Sequence, residues 1–174
     1  LPYTKIAPKE LFYNNSERLS VERLESLLSA DNFTQVCNRL TSQGMRQGFA
    51  CLFYGAPGTG KTETVLQLAR KSGRDIMQVN ISTIKSKWVG ESEKNIKAIF
   101  DRYRSAVQQS EVAPILLFNE ADAIISQRMN NAQRSVDKMD NAIQNIILEE
   151  MERLEGILIA TTNLAGNMDK AFER

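Results

Sequence analysis

Four short apolar runs punctuate the chain: FACLFY (49–54), IMQVNI (76–81), ILLF (115–118) and ILIATT (157–162). Each has the length and the branched or aromatic content of a buried strand. Between them, at about 62–71, 92–109 and 138–153, lie longer stretches in which apolar positions recur at helical spacing. Strand, helix, strand, helix predicts an α/β fold, a parallel sheet covered by helices on both faces. Ligands of such sheets sit beyond the carboxyl ends of the strands, so the chemistry is expected just after each run. Ahead of the first run, VERLESLL sets Val21, Leu24, Leu27 and Leu28 at helical spacing with Ser20 as the candidate cap, and a second helical stretch is expected over 33–40. Residues 2–15 form an extended lead-in, bent at Pro8, with Tyr3, Phe12 and Tyr13 available for packing.

The bulk numbers narrow the chemistry. The 174 residues are enough for one domain with a single substantial core. With 22 basic and 21 acidic residues, the net charge of +1 gives no long-range field for nucleic acid or an anionic membrane. Histidine is absent, which removes histidine triads, zincin sites and histidine proton shuttles. Carboxylates, lysine and metal-bound water are left to do any chemistry. Two cysteines, Cys37 and Cys51, do not make a disulfide framework and favour a reducing, cytoplasmic setting; Cys51, inside FACLFY, is expected to be a small buried side chain. No stretch approaches the roughly 18 apolar residues of a membrane span, and the start LPYTKIAPKE lacks a signal peptide's apolar centre. A first residue other than Met and a stop at AFER suggest a piece of a longer protein.

The first apolar run ends in GAPGTGKT (55–62), which fits G-x-x-x-x-G-K-[ST] at every fixed position and lies between a strand and a helix, as that motif requires. Gly55, Gly58 and Gly60 let the backbone turn its N–H groups around phosphate oxygens, and the following helix adds its positive end. Lys61 would reach the β and γ phosphates, and the Thr62 hydroxyl would ligate magnesium. Pro57 and Thr59 complete the loop, and Glu63 follows it on the helix. A glycine-rich turn that binds nothing is the alternative, and the motif's context weighs against it.

The third run ends in Asn119 and Glu120. Glu120 is the candidate for orienting and polarising a water that attacks the γ-phosphate; otherwise it is a strand-end acid facing solvent. Nucleotide-hydrolysing domains carry an acid where Asn119 stands, to accept from magnesium-bound water. An amide oxygen still accepts but brings no charge, so the metal's outer shell is weakened without being abolished. Three explanations stay open for Asn119: a variant that works with an amide, a substitution made to trap nucleotide, or a domain that binds and hardly hydrolyses. Asp122 is expected to be a structural partner within the turn. The fourth run ends at Asn163, whose amide would stand beside Glu120 and reach the γ-phosphate or the water, or else would only turn the next loop.

Together these segments resemble the AAA+ ATPases, specifically the AAA group that remodels or unfolds proteins. The resemblance covers roughly residues 48–174. It rests on GAPGTGKT as Walker A, ILLFNE as Walker B, Asn163 of TTN at the sensor 1 position, and KSKWVGESEKNIKAIF (85–100), which is similar to the first pore loop and following helix of hexameric members. It implies a three-layer P-loop fold with strand order 5-1-4-3-2, ATP and Mg2+ as ligands, and a homo-hexamer in the full-length protein. Trp88, with Val89 beside it, would then grip a polypeptide substrate in a central pore; outside that context Trp88 is an ordinary half-buried aromatic. NMDKAFER resembles the start of the family's second region of homology, which makes Arg174 the candidate reaching a neighbour's ATP. The family's N-terminal linker contacts adenine, so residues 12–14 are candidates to line the base. Asn119 departs from the family's Asp, and the family's helical lid has no counterpart in these residues.

The expected organisation is an N-terminal linker and helical arm over 1–47, packed on a nucleotide-binding core over 48–174. The expected function is a Mg-ATP-binding ATPase core that drives protein remodelling in a hexamer, the isolated fragment being nearly inactive. The rival is a nucleotide-dependent binding or scaffold module in which Asn119 marks weak turnover. A clamp-loading or DNA-acting protein is a third reading, against which Trp88 and the near-neutral charge argue.

Overall fold

The computed structural model describes residues 1–81, 92–122 and 135–163. Four parallel strands, β1 (Phe49–Tyr54), β2 (Ile76–Asn80), β3 (Ile115–Asn119) and β4 (Ile157–Thr162), form one sheet in the order β1-β4-β3-β2. That is the expected order from strand 1 to strand 2, and no fifth strand occurs among the described residues. The helices are α1 (Asn15–Leu28), α2 (Ala30–Ser42), α3 (Lys61–Ser72), α4 (Ser92–Gln109) and α5 (Ser135–Glu152). None of them is long and apolar enough to cross a membrane.

Strands β3 and β4 are buried along their whole length, which is why they are continuous apolar runs with no polar alternation. Their successive side chains feed two separate cores. Leu116, Phe118 and Leu158 join Ile96, Phe100 and Tyr103 of α4 and Ile143 and Ile147 of α5. Ile115, Leu117, Ile157 and Ile159 join Val65 and Leu68 of α3, with Leu24 and Leu28 of α1 and Phe33 of α2. Helix, sheet and helix thus make the three layers of the α/β class, and the first two helices share the core beneath α3.

Three local expectations are corrected. Helix α1 starts at Asn15 and not near Ser20, because Asn14 and Glu17 form a reciprocal capping box: Asn14 Oδ1 accepts from the Glu17 N–H at 2.8 Å, and Glu17 Oε2 accepts from the Asn14 N–H at 3.0 Å. Helix α2 runs beyond 33–40 at both ends. Cys51 is only half-buried, because among the described residues β4 is the one strand paired with β1. Burial nonetheless pushes its thiol above the usual range.

Arg74, 1% exposed, ties the arm to the sheet. Its Nε donates to the Leu28 carbonyl at 2.8 Å, at the negative end of α1, and an Nη donates to the Ala113 carbonyl at 2.6 Å, just before β3. The guanidinium also lies 4.8 Å from the centre of the Phe33 ring. Arg74→Ala would strand two carbonyls and open a void under Phe33. Thermal or denaturant unfolding is expected to show a loss of about 3 kcal/mol, at roughly 1–3 kcal/mol for each orphaned group. That corresponds to roughly 6–12 °C in midpoint for a chain of this size.

Candidate functional site

The site lies at the carboxyl ends of β1, β3 and β4, where the alternating pattern places it. Between β1 and α3 the loop turns through Gly58 and Gly60, at φ 77° and 82° in the left-handed region that a side chain disfavours. Thr59 Oγ1 closes the loop by donating to the Ala56 carbonyl at 2.9 Å. Pro57 is exposed at its tip. Gly60 caps α3, so the loop delivers the chain directly to the positive end of a helix.

Lys61, the first residue of α3, points back over the loop. Its Nζ donates to the Gly55 and Ala56 carbonyls, each at 2.8 Å, and to Asn163 Oδ1 at 2.9 Å. Thr62 Oγ1 donates to Asn119 Oδ1 at 3.2 Å. The same Asn119 oxygen accepts from Thr161 Oγ1 of β4 at 3.3 Å. Lys61, Thr62, Asn119 and Asn163 are therefore one cluster, although 102 positions separate the first from the last. Asn119, 8% exposed, offers an acceptor oxygen to two hydroxyls, the part of a carboxylate's work that needs no charge.

Glu120 follows at φ 53°, the only positive φ on a non-glycine among the described residues. The conformation costs about 1–2 kcal/mol relative to the right-handed region, and β4 holds it. The Ala121 N–H donates to the Thr161 carbonyl at 2.9 Å and the Glu120 N–H to Thr161 Oγ1 at 3.4 Å. As a result Glu120 leaves a buried strand and becomes exposed at once. Glu63 is turned elsewhere: Lys9, at 2.7 Å, and then Gln67, at 2.9 Å, donate to it and hold its carboxyl below the usual range. It joins the lead-in to α3.

A cleft of about 770 Å³ opens beside the loop, between α1 and β1. Its apolar part is lined by Phe12, Tyr13, Leu24, Phe53 and Tyr54, and its other end reaches Gly55, Thr59 and Lys61. That volume is of ligand size, and its two ends suit a ligand with a flat apolar group and a chain of anions. Asn14 is spent on capping α1, while Tyr13 is anchored by its hydroxyl, 3.0 Å from Thr64 Oγ1. Tyr54 and Thr161 carry no signal of their own in the sequence, because each sits inside an apolar run whose pattern signals only a strand, and Cys51 in the same setting signals only a packed side chain. Trp88, Val89 and Arg174 lie outside the described residues.

Residues 51–174 match the model of the ATPase family associated with various cellular activities (AAA). The chain belongs to this AAA family. It is 34% identical over 138 residues to Protein SAV of Sulfolobus acidocaldarius, covering 77% of the chain and 17% of that protein. It is 31% identical over 126 residues to Fidgetin-like protein 1 of Drosophila melanogaster, with 71% and 23% covered. With Pachytene checkpoint protein 2 of Saccharomyces cerevisiae it shares 32% identity over 145 residues, covering 70% and 26%. The chain spans no more than 26% of the length of any of these three relatives. As a member of the AAA ATPases, it carries a nucleotide-binding core of the kind used for ATP-dependent activity.

Proposed function

We propose that the chain is the Mg-ATP-binding core of an ATPase that, assembled as a homo-hexamer in a longer cytoplasmic protein, couples hydrolysis to protein remodelling. The observation that carries the reading is the cluster of Lys61, Thr62, Asn119 and Asn163 at the positive end of α3, with Glu120 thrust out beside it. Residues 48–174 form the nucleotide-binding core in this account, and 1–47 supply a linker and arm whose Phe12 and Tyr13 cover the base.

In the reaction, the loop from Gly55 to Gly60 wraps phosphate oxygens with backbone N–H groups, and Lys61 exchanges its carbonyl partners for the β and γ phosphates. Glu120 orients a water in line with the γ-phosphorus and draws on its proton as the new O–P bond forms and the bridging oxygen leaves with ADP. Asn163 donates its amide to the γ-phosphate. Thr62 and Asn119 present the hard oxygens that suit Mg2+. Among the described residues no group of three acids or thiols could hold a metal unaided, so the phosphates would complete its shell. When bound, the metal neutralises charge on the phosphates. Arg174 would reach the nucleotide of a neighbouring copy, and the 174-residue chain alone would turn over slowly.

Asn119 favours a second reading, a scaffold module that binds nucleotide with little hydrolysis, because the amide brings no charge to the metal's outer shell. Trp88→Ala separates the two in the full-length hexamer. The remodelling account expects basal ATPase within about threefold of the parent and loss of substrate-stimulated turnover, since a large apolar face grips varied polypeptide and alanine offers little. Unchanged stimulation, or cooperative destabilisation by the several kcal/mol typical of about 3–5 for truncating a core Trp, would assign Trp88 to packing and remove the gripping role.

A further inference from the structure

The end of β4 is fixed by a carboxylate that no motif names. Asp122 lies just past the Glu120 turn, and its Oδ1 accepts the Asn163 backbone N–H at 2.7 Å together with the Thr162 hydroxyl. The ladder ends at this point: β4 pairs with β3 as far as Ala160 and with β1 as far as Thr162. Asn163 therefore has no strand partner for its N–H, and Asp122 supplies one from the neighbouring strand's turn. A carboxylate acceptor makes the bond about twice as strong as a neutral one would be. Asn163 in turn gives its Oδ1 to Lys61 Nζ at 2.9 Å. Asp122, Asn163 and Lys61 thus form a chain from the β3 turn to the phosphate loop.

A carboxylate so near a site for anions is electrostatically unfavourable unless it does something a neutral group cannot do as well. Its position supplies the reason. Asn163 sits just past the end of β4, where the ladder no longer fixes its backbone, and an amide that is to register one phosphate must be held in place. The strong bond to Asp122 holds its backbone to the rigid side.

We propose that Asp122 is a positioning residue for nucleotide discrimination, fixing the Asn163 amide where it meets a terminal phosphate and so setting the preference between Mg-ATP and Mg-ADP. This rests on the reading of the Lys61 loop as a nucleotide cradle. Asp122 acts through Asn163, its contacts being the Asn163 N–H and the Thr162 hydroxyl. Thr161 anchors the other half of the same junction through Asn119 and the Glu120 N–H, so the two strand ends are pinned on both sides of the site.

Equilibrium titrations of the 174-residue chain with Mg-ATP and with Mg-ADP test this. Asp122→Ala is expected to lower the ATP-to-ADP affinity ratio about 10-fold, the scale of one hydrogen bond to a charged group, with ADP affinity held within about twofold. Asp122→Asn keeps an acceptor oxygen but loses the charge, and should recover only part of the ratio. In an Asn163→Ala background, Asp122→Ala should cause no further change, because the two act through one contact. Should Asp122→Ala not fold, Asp122→Ser, polar but too short to reach the Asn163 N–H, carries the same expectation. Equal weakening of both nucleotides, an unmoved ratio, or additive effects in the double variant would overturn the proposal while leaving the cradle standing. A parent chain that binds neither nucleotide, when folded, would overturn the cradle and this proposal together.

Discussion

Lys61→Ala is expected to weaken Mg-ATP binding by at least about 100-fold, the loss of two or so hydrogen bonds to a charged ligand, while leaving the fold in place. Lys61 is half-buried at the phosphate end of the cleft, whereas Arg23, the other cation lining it, stands on α1. The substitution leaves both hydrophobic cores untouched, since no Lys61 atom belongs to either. It does free the Gly55 and Ala56 carbonyls and Asn163, so the loop should loosen where it is already exposed. Titration with a fluorescent ATP analogue, alongside circular dichroism to establish folding, reads the effect. A folded variant with parental affinity would move the phosphates away from this loop.

The second large effect is kinetic. Glu120→Gln in the assembled protein is expected to cut phosphate release by about 100- to 10,000-fold, the usual range for removing a positioned acid or base. Mg-ATP affinity should stay within about threefold, because the side chain acts on the water and not on the cradle. Glutamine has the same length and the same tolerance of the left-handed turn at 120, so the change isolates the charge. Parallel measurements of phosphate release and nucleotide binding separate the two quantities. Loss of binding in step with turnover would mean that Glu120 supports the site's shape and does not handle the water.

Much of this was legible in the chain itself. Buried parallel strands leave uninterrupted apolar runs, so β3 and β4 are visible as ILLF and ILIATT, and a glycine loop between strand and helix carries its own spacing. What was not legible depends on contacts far apart in sequence. Asp122 reads from sequence as a structural partner within its own turn, and only the parallel pairing of β3 with β4 brings it to Asn163 instead. The start of α1 was hidden because its first turn, Asn15–Arg18, is polar throughout, so apolar periodicity begins a turn late. Asn14, a base-lining candidate by resemblance, spends its side chain on capping that helix, while Phe12 and Tyr13 line the cleft. Cys51 sits in an apolar run like the others, yet among the described residues its strand is paired on one side only, and nothing in six residues of sequence tells how many neighbours a strand has.

The role of Asn119 decides between turnover and mere binding. Its oxygen accepts from Thr62 and Thr161 as a carboxylate would, so the acceptor geometry is kept and only the charge is missing. Weakened metal binding can be offset by saturating magnesium and nucleotide, whereas a missing function cannot. The most direct measurement is steady-state release of inorganic phosphate by the full-length assembled protein at saturating Mg-ATP. Sustained turnover over many cycles is the expected result. ATP bound at one per site with no phosphate released would contradict it and leave the scaffold reading in its place.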